Sequence, residues 1–383
     1  MVFDFLQPVE QDVVDYLKGL SSQHLGSKVV FHTDSDFPDI DQIKIAVIGV
    51  LENRGMGYDS EAVDLTFIRK ELYKLFPGNW NGAIADLGDI DAGNSVEDTS
   101  FALREVVAAL LRKKIIPIVI GGSQDLTYSL YRAYDKLEQM VNLVSIDSKF
   151  DFGKEQEAIS ASSYLTKIII DEPNNLFNFS NVGYQTYYNS QEEIDLVEKL
   201  FFDAYRLGEI SNNIALAEPV FRDADFVSID LTAVKSADSG NFAIFTPNGF
   251  NGKEICALSR YSGISDKVSL FGIFNHSSNA QEAVLIAQII WYFIEGWHYR
   301  SNEYPFGSRE NYIKYIVPSD NEELVFYKSH KSDRWWIEIP FISAGNNKLK
   351  KNTLLPCSYD EYLAACNQEI PERWWKAQRK NCL

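Results

Sequence analysis

The sequence predicts an α/β protein with three layers, in which a mostly parallel sheet lies between two layers of helices. Short runs rich in valine and isoleucine alternate with longer amphipathic segments along most of the chain. Residues 115–151 show this order most clearly, as a strand, a glycine turn, a helix and a second strand. That order predicts a right-handed crossover between parallel strands. In such sheets, binding sites form just beyond the carboxyl ends of the strands.

Composition limits the class of protein and the kind of partner. The chain has 383 residues, 45% of them hydrophobic, which is enough for one large or two smaller domains with a sizeable core. Its net charge of −18 argues against nucleic acid or an anionic membrane as the main partner. Residues 1–17 lack the pattern of a signal peptide, and no stretch approaches membrane-spanning length. We therefore expect a cytoplasmic protein.

Cysteine usage agrees with a reducing compartment. Cys256, Cys357, Cys366 and Cys382 are scattered, without the spacing of a zinc site or a redox motif. We expect all four to be reduced thiols.

Changes in pattern divide the chain into three segments. Residues 1–40 are predicted to be a helical, loop-rich lead-in, residues 41–300 the α/β domain, and residues 301–383 a C-terminal extension packed on or near that domain. No internal repeat is visible. Residues 152–190 are polar and rich in asparagine, and they give no clear assignment.

The elements of the α/β domain follow from hydrophobic periodicity. Short runs of β-branched and aromatic residues predict strands at residues 44–50, 82–90 (an edge strand), 115–120, 142–146, 225–231 and 268–274. Apolar residues at helical spacing predict helices at residues 67–76, 99–113, 123–140, 191–205, 253–261 and 281–296.

The C-terminal extension has a different character. Residues 323–327 and 334–339 can pair as a hairpin. Ser358 and Glu361 fit a capping box that opens a short helix at 359–368.

Two tryptophan pairs, Trp335–Trp336 and Trp374–Trp375, lie in this extension. We expect them to pack against the main domain, because buried aromatics are the commoner case. The alternative is an exposed interface with another subunit or a protein partner.

Carboxylates follow two of the predicted strands. Asp147, Lys149 and Asp151 alternate after one strand, so that in an extended chain they point the same way, and Asp230 ends another strand. Three carboxylates at one sheet edge repel each other and need a metal ion, a lysine or protons to balance them. The alternative is that they are separate caps and surface charges.

These strand ends resemble the ureohydrolase family, which comprises arginases, agmatinases and formiminoglutamases. Members split linear guanidines or amidines with water held between two manganese ions. Their signatures GGDHS, DAHxD and SxDxDxxDP correspond here to GGSQD (121–125), DSKFD (147–151) and SIDLTAVKS (228–236). IAVIGVLENRG (45–55) and DLGDI (86–90) also match, and formiminoglutamases look most similar. The resemblance covers about residues 40–300 and implies an arginase-type sheet and a homo-oligomer.

The resemblance also identifies positions at which the metal ligands of the family have changed. The six ligand positions correspond to Gln124, Asp147, Lys149, Asp151, Asp230 and Thr232. One metal position would keep Asp147, Asp151 and Asp230, with Gln124 as a weak neutral ligand. The other would keep only Asp147 and Asp230, because Lys149 and Thr232 replace a histidine and an aspartate.

Lys149 is the most informative replacement. A protonated lysine cannot ligate a metal. We hypothesise that its ammonium group replaces the second metal as counter-ion to Asp147 and Asp230. The alternative is a lysine turned out to solvent, which is where lysine usually keeps its charge.

The other residues of the ancestral cleft offer little catalytic chemistry. None of the five histidines falls on a ligand position. Asn275 falls near the place of the glutamate with which the family binds the amidine cation. The adjacent His276 is predicted to be a satisfied loop residue rather than a ligand.

Two main functions remain from the sequence. One is an active metal-dependent hydrolase of the C–N bonds of linear amidines. The other, which we favour, is a non-catalytic or altered-function relative that has lost the binuclear manganese site. A third, with Lys149 as base or nucleophile, is disfavoured because neighbouring acids raise the pKa of a lysine. We expect no cofactor, with a single manganese ion as the alternative, and self-association, with the C-terminal extension as a further partner surface.

Overall fold

A computed structural model describes most of the chain. The described residues are 2–57, 63–80, 83–137, 139–154, 156–277, 279–303, 309–319, 323–339 and 354–382. Residues 82 and 138, which fall in a predicted strand and a predicted helix, lie outside them.

Thirteen strands occur in the described residues and form two sheets. They are β1 Val29–Phe31, β2 Ile45–Val50, β3 Ile84–Ile90, β4 Ile116–Ile120, β5 Val141–Ile146, β6 Leu176–Tyr184, β7 Asp203–Arg206, β8 Phe226–Asp230, β9 Leu270–Phe274, β10 Tyr312–Pro318, β11 Glu323–Ser329, β12 Trp335–Glu338 and β13 Leu354–Cys357. The first nine form one sheet in the order β1-β3-β2-β4-β9-β8-β5-β6-β7, and the last four form a second sheet. All pairs in the first sheet are parallel.

Thirteen α-helices accompany these strands in the described residues. They are α1 Gln11–Lys18, α2 Thr66–Tyr73, α3 Val96–Arg112, α4 Leu126–Arg132, α5 Tyr164–Ile170, α6 Gln191–Lys199, α7 Leu207–Asn212, α8 Glu218–Asp223, α9 Ser236–Ser239, α10 Gly252–Ile264, α11 Ala280–His298, α12 Tyr359–Cys366 and α13 Glu372–Cys382. Among the described helices, none is both long and apolar enough to cross a membrane.

The core has one hydrophobic cluster on each face of the parallel sheet. Alternate residues of β2 face opposite clusters, Ile45 and Val47 one of them, Ala46 and Ile48 the other. Helices α2, α10 and α11 cover the first cluster, and α3, α4 and α5 cover the second. Because both faces are covered, most residues of these strands are buried and apolar. The predicted three-layer α/β fold is confirmed.

Several predicted element boundaries were wrong. The strand predicted at the edge, β3, lies between β1 and β2, and the edge strand is β1, whose three residues are too few for a periodic signal. The helix predicted at residues 191–205 ends at Lys199 and is followed by strand β7. The two strands of the crossover predicted in residues 115–151, β4 and β5, are parallel as predicted. They are not neighbours in the sheet, because β9 and β8 lie between them.

A whole internal strand, β6, was missed in the segment left without assignment. Its buried polar residues obscured the apolar pattern of a central strand. Asn178 is one of them, and its amide donates to Asp203 Oδ2 on the neighbouring strand at 3.0 Å. Pairing of this kind is what allows polar side chains in a buried strand.

The C-terminal extension is anchored on the main domain by a buried cation. The predicted hairpin is confirmed, since β11 and β12 pair antiparallel, as is the capping box of α12. Arg222 of α8 donates to the carbonyl oxygens of Trp335 at 3.0 Å and Cys357 at 2.9 Å. Its guanidinium carbon lies 4.6 Å from the ring centroid of Trp336.

Of the four tryptophans expected to pack against the main domain, Trp336 contacts Arg222 and Trp375 contacts Phe201, with ring centroids 5.6 Å apart. Trp335 and Trp374 are instead buried in the hydrophobic core of the extension itself, and Trp375 is 39% exposed.

A buried ion-pair network joins helix α2 to strand β3. Arg69 is only 1% exposed, and its guanidinium donates to Asp86 Oδ2 at 2.9 Å and Asp89 Oδ1 at 2.7 Å. Tyr73 donates to the same oxygen of Asp86 at 2.6 Å. Removing the cation would leave two buried carboxylates without a counter-charge.

We therefore predict that Arg69→Met lowers the free energy of unfolding by about 3–5 kcal/mol. The neighbouring substitution Lys70→Met is the matched control, because Lys70 pairs with Asp12, whose side chain is 71% exposed. Its expected cost is below about 1 kcal/mol. Denaturant unfolding of the two variants measures the difference, and equal losses would contradict a supporting role for the buried network.

Candidate functional site

Three buried carboxylates meet at the carboxyl edge of the parallel sheet. Strands β5 and β8 are neighbours, with Ile146 opposite Ile229. Asp147 follows the first strand and Asp230 ends the second, so their side chains emerge side by side. Asp151 lies in the turn after Asp147. One carboxylate oxygen from each lies within 4.8 Å of the other two. We call these three residues the aspartate centre.

Hydrogen bonds hold two of these carboxylates and leave oxygens free. Asp147 Oδ1 accepts from the Lys149 N–H at 2.9 Å. Asp230 Oδ1 accepts from the Thr232 N–H at 2.7 Å, and its Oδ2 accepts from the Asn275 amide at 2.8 Å. Asp147 Oδ2 and Asp151 Oδ2 are buried and have no donor within reach in the described part of the chain. Such orphaned oxygens are uncommon in folded proteins and call for a ligand or a proton.

Burial and mutual repulsion make the aspartate centre hard to ionise. Burial raises the pKa of Asp147 well above its usual range, and repulsion by Asp151 and Asp230 adds to the effect. Burial also raises the pKa of Asp151 to about 7. The pKa of Asp230 is raised by burial as well, although the bonds from Thr232 and Asn275 partly offset it. Without a cation, the centre therefore holds protons at neutral pH.

Asn275 connects the aspartate centre to the GGSQD loop. Its side-chain oxygen accepts from the Gln124 N–H at 3.0 Å, while its amide donates to Asp230. Asn275 has φ +54°, a left-handed conformation that asparagine tolerates better than most residues. Asn275 therefore acts as a positioning residue for Asp230, and its side chain is already committed to these two bonds.

Gln124 places a fourth oxygen at this edge. Its side chain is fully buried, and its amide donates to Ser228 Oγ at 3.0 Å. The Oε1 atom has no partner among the described residues. The loop is fixed by Gly122, where an added Cβ would lie 2.0 Å from the Glu52 carbonyl oxygen, so only glycine fits.

Lys149 does not form the direct ion pair with Asp147 and Asp230 that the counter-ion hypothesis expected, although its charge lowers the pKa of Asp151 and Asp230 from a distance. Its side chain is exposed, and Nζ lies 5.7 Å from the ring centroid of Tyr188. In the described part of the chain, no ion pair joins it to the aspartate centre. The expected alternation fails because the chain bends at Ser148 and Lys149, directly after Asp147, and does not continue as an extended strand. The lysine thus keeps its charge in water.

Thr232 and His276 add no metal ligand. Thr232 opens a short 3-10 helix at Leu231–Ala233 and is partly exposed. His276 is buried, and burial lowers its pKa, so the imidazole is neutral. Its Nδ1 lies 3.3 Å from the Ser277 carbonyl oxygen, and it does not belong to the group of clustered potential ligands.

Tyr164, which sequence reasoning missed, completes the wall beside Gln124. Its hydroxyl lies 3.4 Å from Gln124 Nε2 and 3.4 Å from Ser145 Oγ. Tyr164 begins α5, inside the segment that gave no assignment from the sequence. No local signal distinguishes it from an ordinary core tyrosine.

The fold and this edge define a class: an α/β protein built on an arginase-type sheet, with a carboxylate centre beyond its strands. A sequence model described as the arginase family matches residues 64–292. The chain therefore belongs to the arginase family.

Relatives within this family agree with the resemblance to formiminoglutamases. A formimidoylglutamase of Streptococcus gordonii is 22% identical over 292 residues, which cover 69% of this chain and 88% of the relative. The Trypanosoma cruzi formiminoglutamase structure with Mn²⁺ aligns with a TM-score of 0.60 at 18% identity, covering 69% of this chain and all of that one. The Bacillus subtilis formimidoylglutamase structure aligns at 0.61 and 17% identity, covering 70% and 91%. The predicted resemblance to the ureohydrolase family, with formiminoglutamases most similar, is confirmed.

The aspartate centre predicts how stability of the cation-free protein depends on pH. Between an ordinary aspartate pKa near 4 and the value of about 7 for Asp151, the folded state holds a proton that the unfolded state has lost. Stability in EDTA should therefore fall as pH rises from 5 to 8, by up to about 1.4 kcal/mol per pH unit for each such proton.

Asp151→Asn should flatten this dependence, because asparagine stays neutral and accepts the left-handed backbone. Asp333→Asn is the matched control, since Asp333 also has a left-handed φ of +59° but its side chain is 81% exposed. Thermal unfolding of both variants at pH 5 and pH 8 makes the comparison. An unchanged slope in Asp151→Asn would show that this aspartate is not the protonated group.

Proposed function

We propose that this arginase-family protein binds a single divalent cation at the aspartate centre and does not carry out two-metal amidine hydrolysis. The observation that carries the proposal is the set of buried oxygens without donors: Asp147 Oδ2, Asp151 Oδ2 and Gln124 Oε1. Carboxylate and amide oxygens are the ligands that hard divalent ions such as Mn²⁺ and Mg²⁺ prefer. A cation would also balance the three like charges.

The same residues do not fit a second cation. A second position could draw only on Asp147 and Asp230, and Asn275 already occupies one oxygen of Asp230. Lys149 presents its charge to solvent, and Thr232 offers a hydroxyl in place of a carboxylate. Two shared carboxylates fall short of the ligand sets by which proteins hold hard ions.

The number of bound cations determines which reaction the site can support. In two-metal hydrolysis, both ions act on one water and make it nucleophilic at neutral pH. With one ion, a base would have to take the proton of that water. His276 is neutral but turned to the Ser277 carbonyl, and it stands outside the aspartate centre. We infer that the fold has been kept for binding rather than for hydrolysis.

The proposal predicts one equivalent of Mn²⁺ per chain. Mass spectrometry of metal content, after dialysis against Mn²⁺ and removal of excess ion, measures it. Asp151→Asn should lose the bound ion, and the exposed control Asp333→Asn should retain it. Affinity should fall as pH drops below about 7, because protons compete for Asp151. Two equivalents would restore the binuclear hypothesis, and none would leave protons as the balancing charge.

A second prediction concerns activity. The formimidoylglutamases that this chain resembles are named for one substrate, so formimidoylglutamate with excess Mn²⁺ is the test reaction. We expect no hydrolysis above the buffer rate for the natural sequence. Measurable, Mn²⁺-dependent turnover would establish an active hydrolase and reject the proposal.

Restoring the changed ligands tests why activity is absent. The triple variant Gln124→His, Lys149→His, Thr232→Asp should bind a second Mn²⁺ if only the ligands were lost. Calorimetric titration of the triple variant against the natural sequence gives the stoichiometry. A folded triple variant that still binds one ion would show that the surrounding loops, and not the ligands alone, exclude the second.

A further inference from the structure

A second candidate site lies at the same edge of the sheet, outside the aspartate centre. It is an open groove of about 510 Å³, formed where the chain leaves β6, β7 and β8. Tyr184 ends β6, Arg206 ends β7, and Lys235 follows the loop after β8. We call it the Arg206–Lys235 groove. Its size falls within the range of sites for small molecules.

Two cations from different elements face this groove. Arg206 donates through Nε to the Tyr184 hydroxyl at 3.1 Å, which fixes the plane of its guanidinium group. Its two terminal nitrogens have no hydrogen-bond partner in the described part of the chain. Lys235 lies 3.4 Å from Asp238, a loose pair between half-exposed side chains. Both cations are thus positioned and still have donors to spare.

The charge of the groove contrasts with the rest of the molecule. The whole chain carries −18, yet no aspartate or glutamate is among the groove's described lining residues. Leu207, Pro247 and Tyr187 provide apolar surface between the cations. Asp238 lies 3.4 Å from Lys235, and the charge of Glu209 acts on Arg206, so both cations are partly balanced from outside the lining residues. Their exposed donors can still attract a small anion to that place.

The floor of the groove is held rigidly. Gln185 is 6% exposed, and its amide donates to the Asn248 carbonyl oxygen at 3.1 Å. Its backbone N–H donates to the Ser148 carbonyl oxygen at 3.0 Å, next to Asp147. Gly249 approaches the main chain so closely that an added Cβ would lie 2.5 Å from the Ala233 carbonyl oxygen. A preformed site loses less free energy on binding, because little has to be ordered.

We propose that the Arg206–Lys235 groove binds a small organic carboxylate, held by the Arg206 guanidinium and the Lys235 ammonium groups. A guanidinium with one free edge matches a planar carboxylate through two parallel hydrogen bonds. The apolar wall suits the carbon skeleton of such a ligand better than it suits an inorganic anion. The site does not depend on the cation proposed for the aspartate centre.

Titration of the metal-free protein with succinate at low ionic strength, after EDTA has been removed by dialysis, tests this inference. The natural protein should show saturable binding by calorimetry, and the neutral analogue succinamide should show none. The double variant Arg206→Gln/Lys235→Gln should weaken binding by at least about tenfold, since each bond to a charged group is worth more than a neutral one. Addition of saturating Mn²⁺ should leave succinate binding unchanged, which separates this site from the aspartate centre.

Arg104→Gln is the matched control variant. Arg104 is also an exposed arginine beside an aromatic ring, with its guanidinium carbon 5.5 Å from the Phe101 centroid, but it lies away from the groove. Its loss should leave succinate binding unchanged. Thermal unfolding of each variant shows whether it is folded, and Arg206→Lys, which keeps the charge, should bind more weakly than the natural protein.

Three outcomes would overturn the proposal. The first is the absence of succinate binding to the folded natural protein. The second is equal binding by the natural protein and the double variant. The third is binding of inorganic phosphate in the same titration with none of succinate, which would assign the groove to a phosphate-bearing ligand instead.

Discussion

The need to balance three buried negative charges governs the carboxyl edge of this sheet. Strands β5 and β8 are adjacent, so Asp147 and Asp230 must emerge together, and the left-handed turn at Asp151 brings in the third carboxylate. Backbone N–H groups and Asn275 satisfy some of their oxygens and leave others without donors. Burial penalises each bare carboxylate, so the centre is either protonated or occupied by a cation. The positions of Asn275 and of the turns after β5 and β8 follow from this requirement, because their N–H groups supply part of the compensation.

Hydrogen bonds give two of the three aspartates a role that does not depend on a metal ion. The retained aspartates are also structural: Asp147 and Asp230 accept bonds from the turns that follow their own strands. Replacing either would leave backbone donors unpaired, which costs about 1–3 kcal/mol apiece. Lys149 and Thr232, which differ from the ligands of the family, are at least partly exposed, and the Thr232 side chain adds a hydrogen bond to Asp230. Folding alone would therefore favour keeping Asp147 and Asp230, whatever number of ions the site binds.

Sequence patterns predicted the layers and the edge at which the site forms, because long apolar runs and strand-ending acids carry strong local signals. These patterns failed at elements whose conformation is determined by tertiary contacts. Strand β6 was hidden by polar residues such as Asn178, which are satisfied only by a neighbouring strand. Strand β1 is three residues long and gains its stability from pairing with β3. The direction of Lys149 depends on a bend at Ser148 and Lys149, directly after strand β5, and no spacing rule contains that information.

The two candidate sites are opposite in charge and share one sheet edge. Gln185 connects them, since its backbone bonds to Ser148 beside Asp147 while its side chain supports the Arg206–Lys235 groove. Residues near the ends of parallel strands are held by the sheet, whereas the loops beyond them are free to vary. A sheet of this family can therefore present a different set of side chains at its edge without changing its strands. On this argument the fold limits where a ligand binds, and the loop residues at 206 and 235 determine which ligand that is.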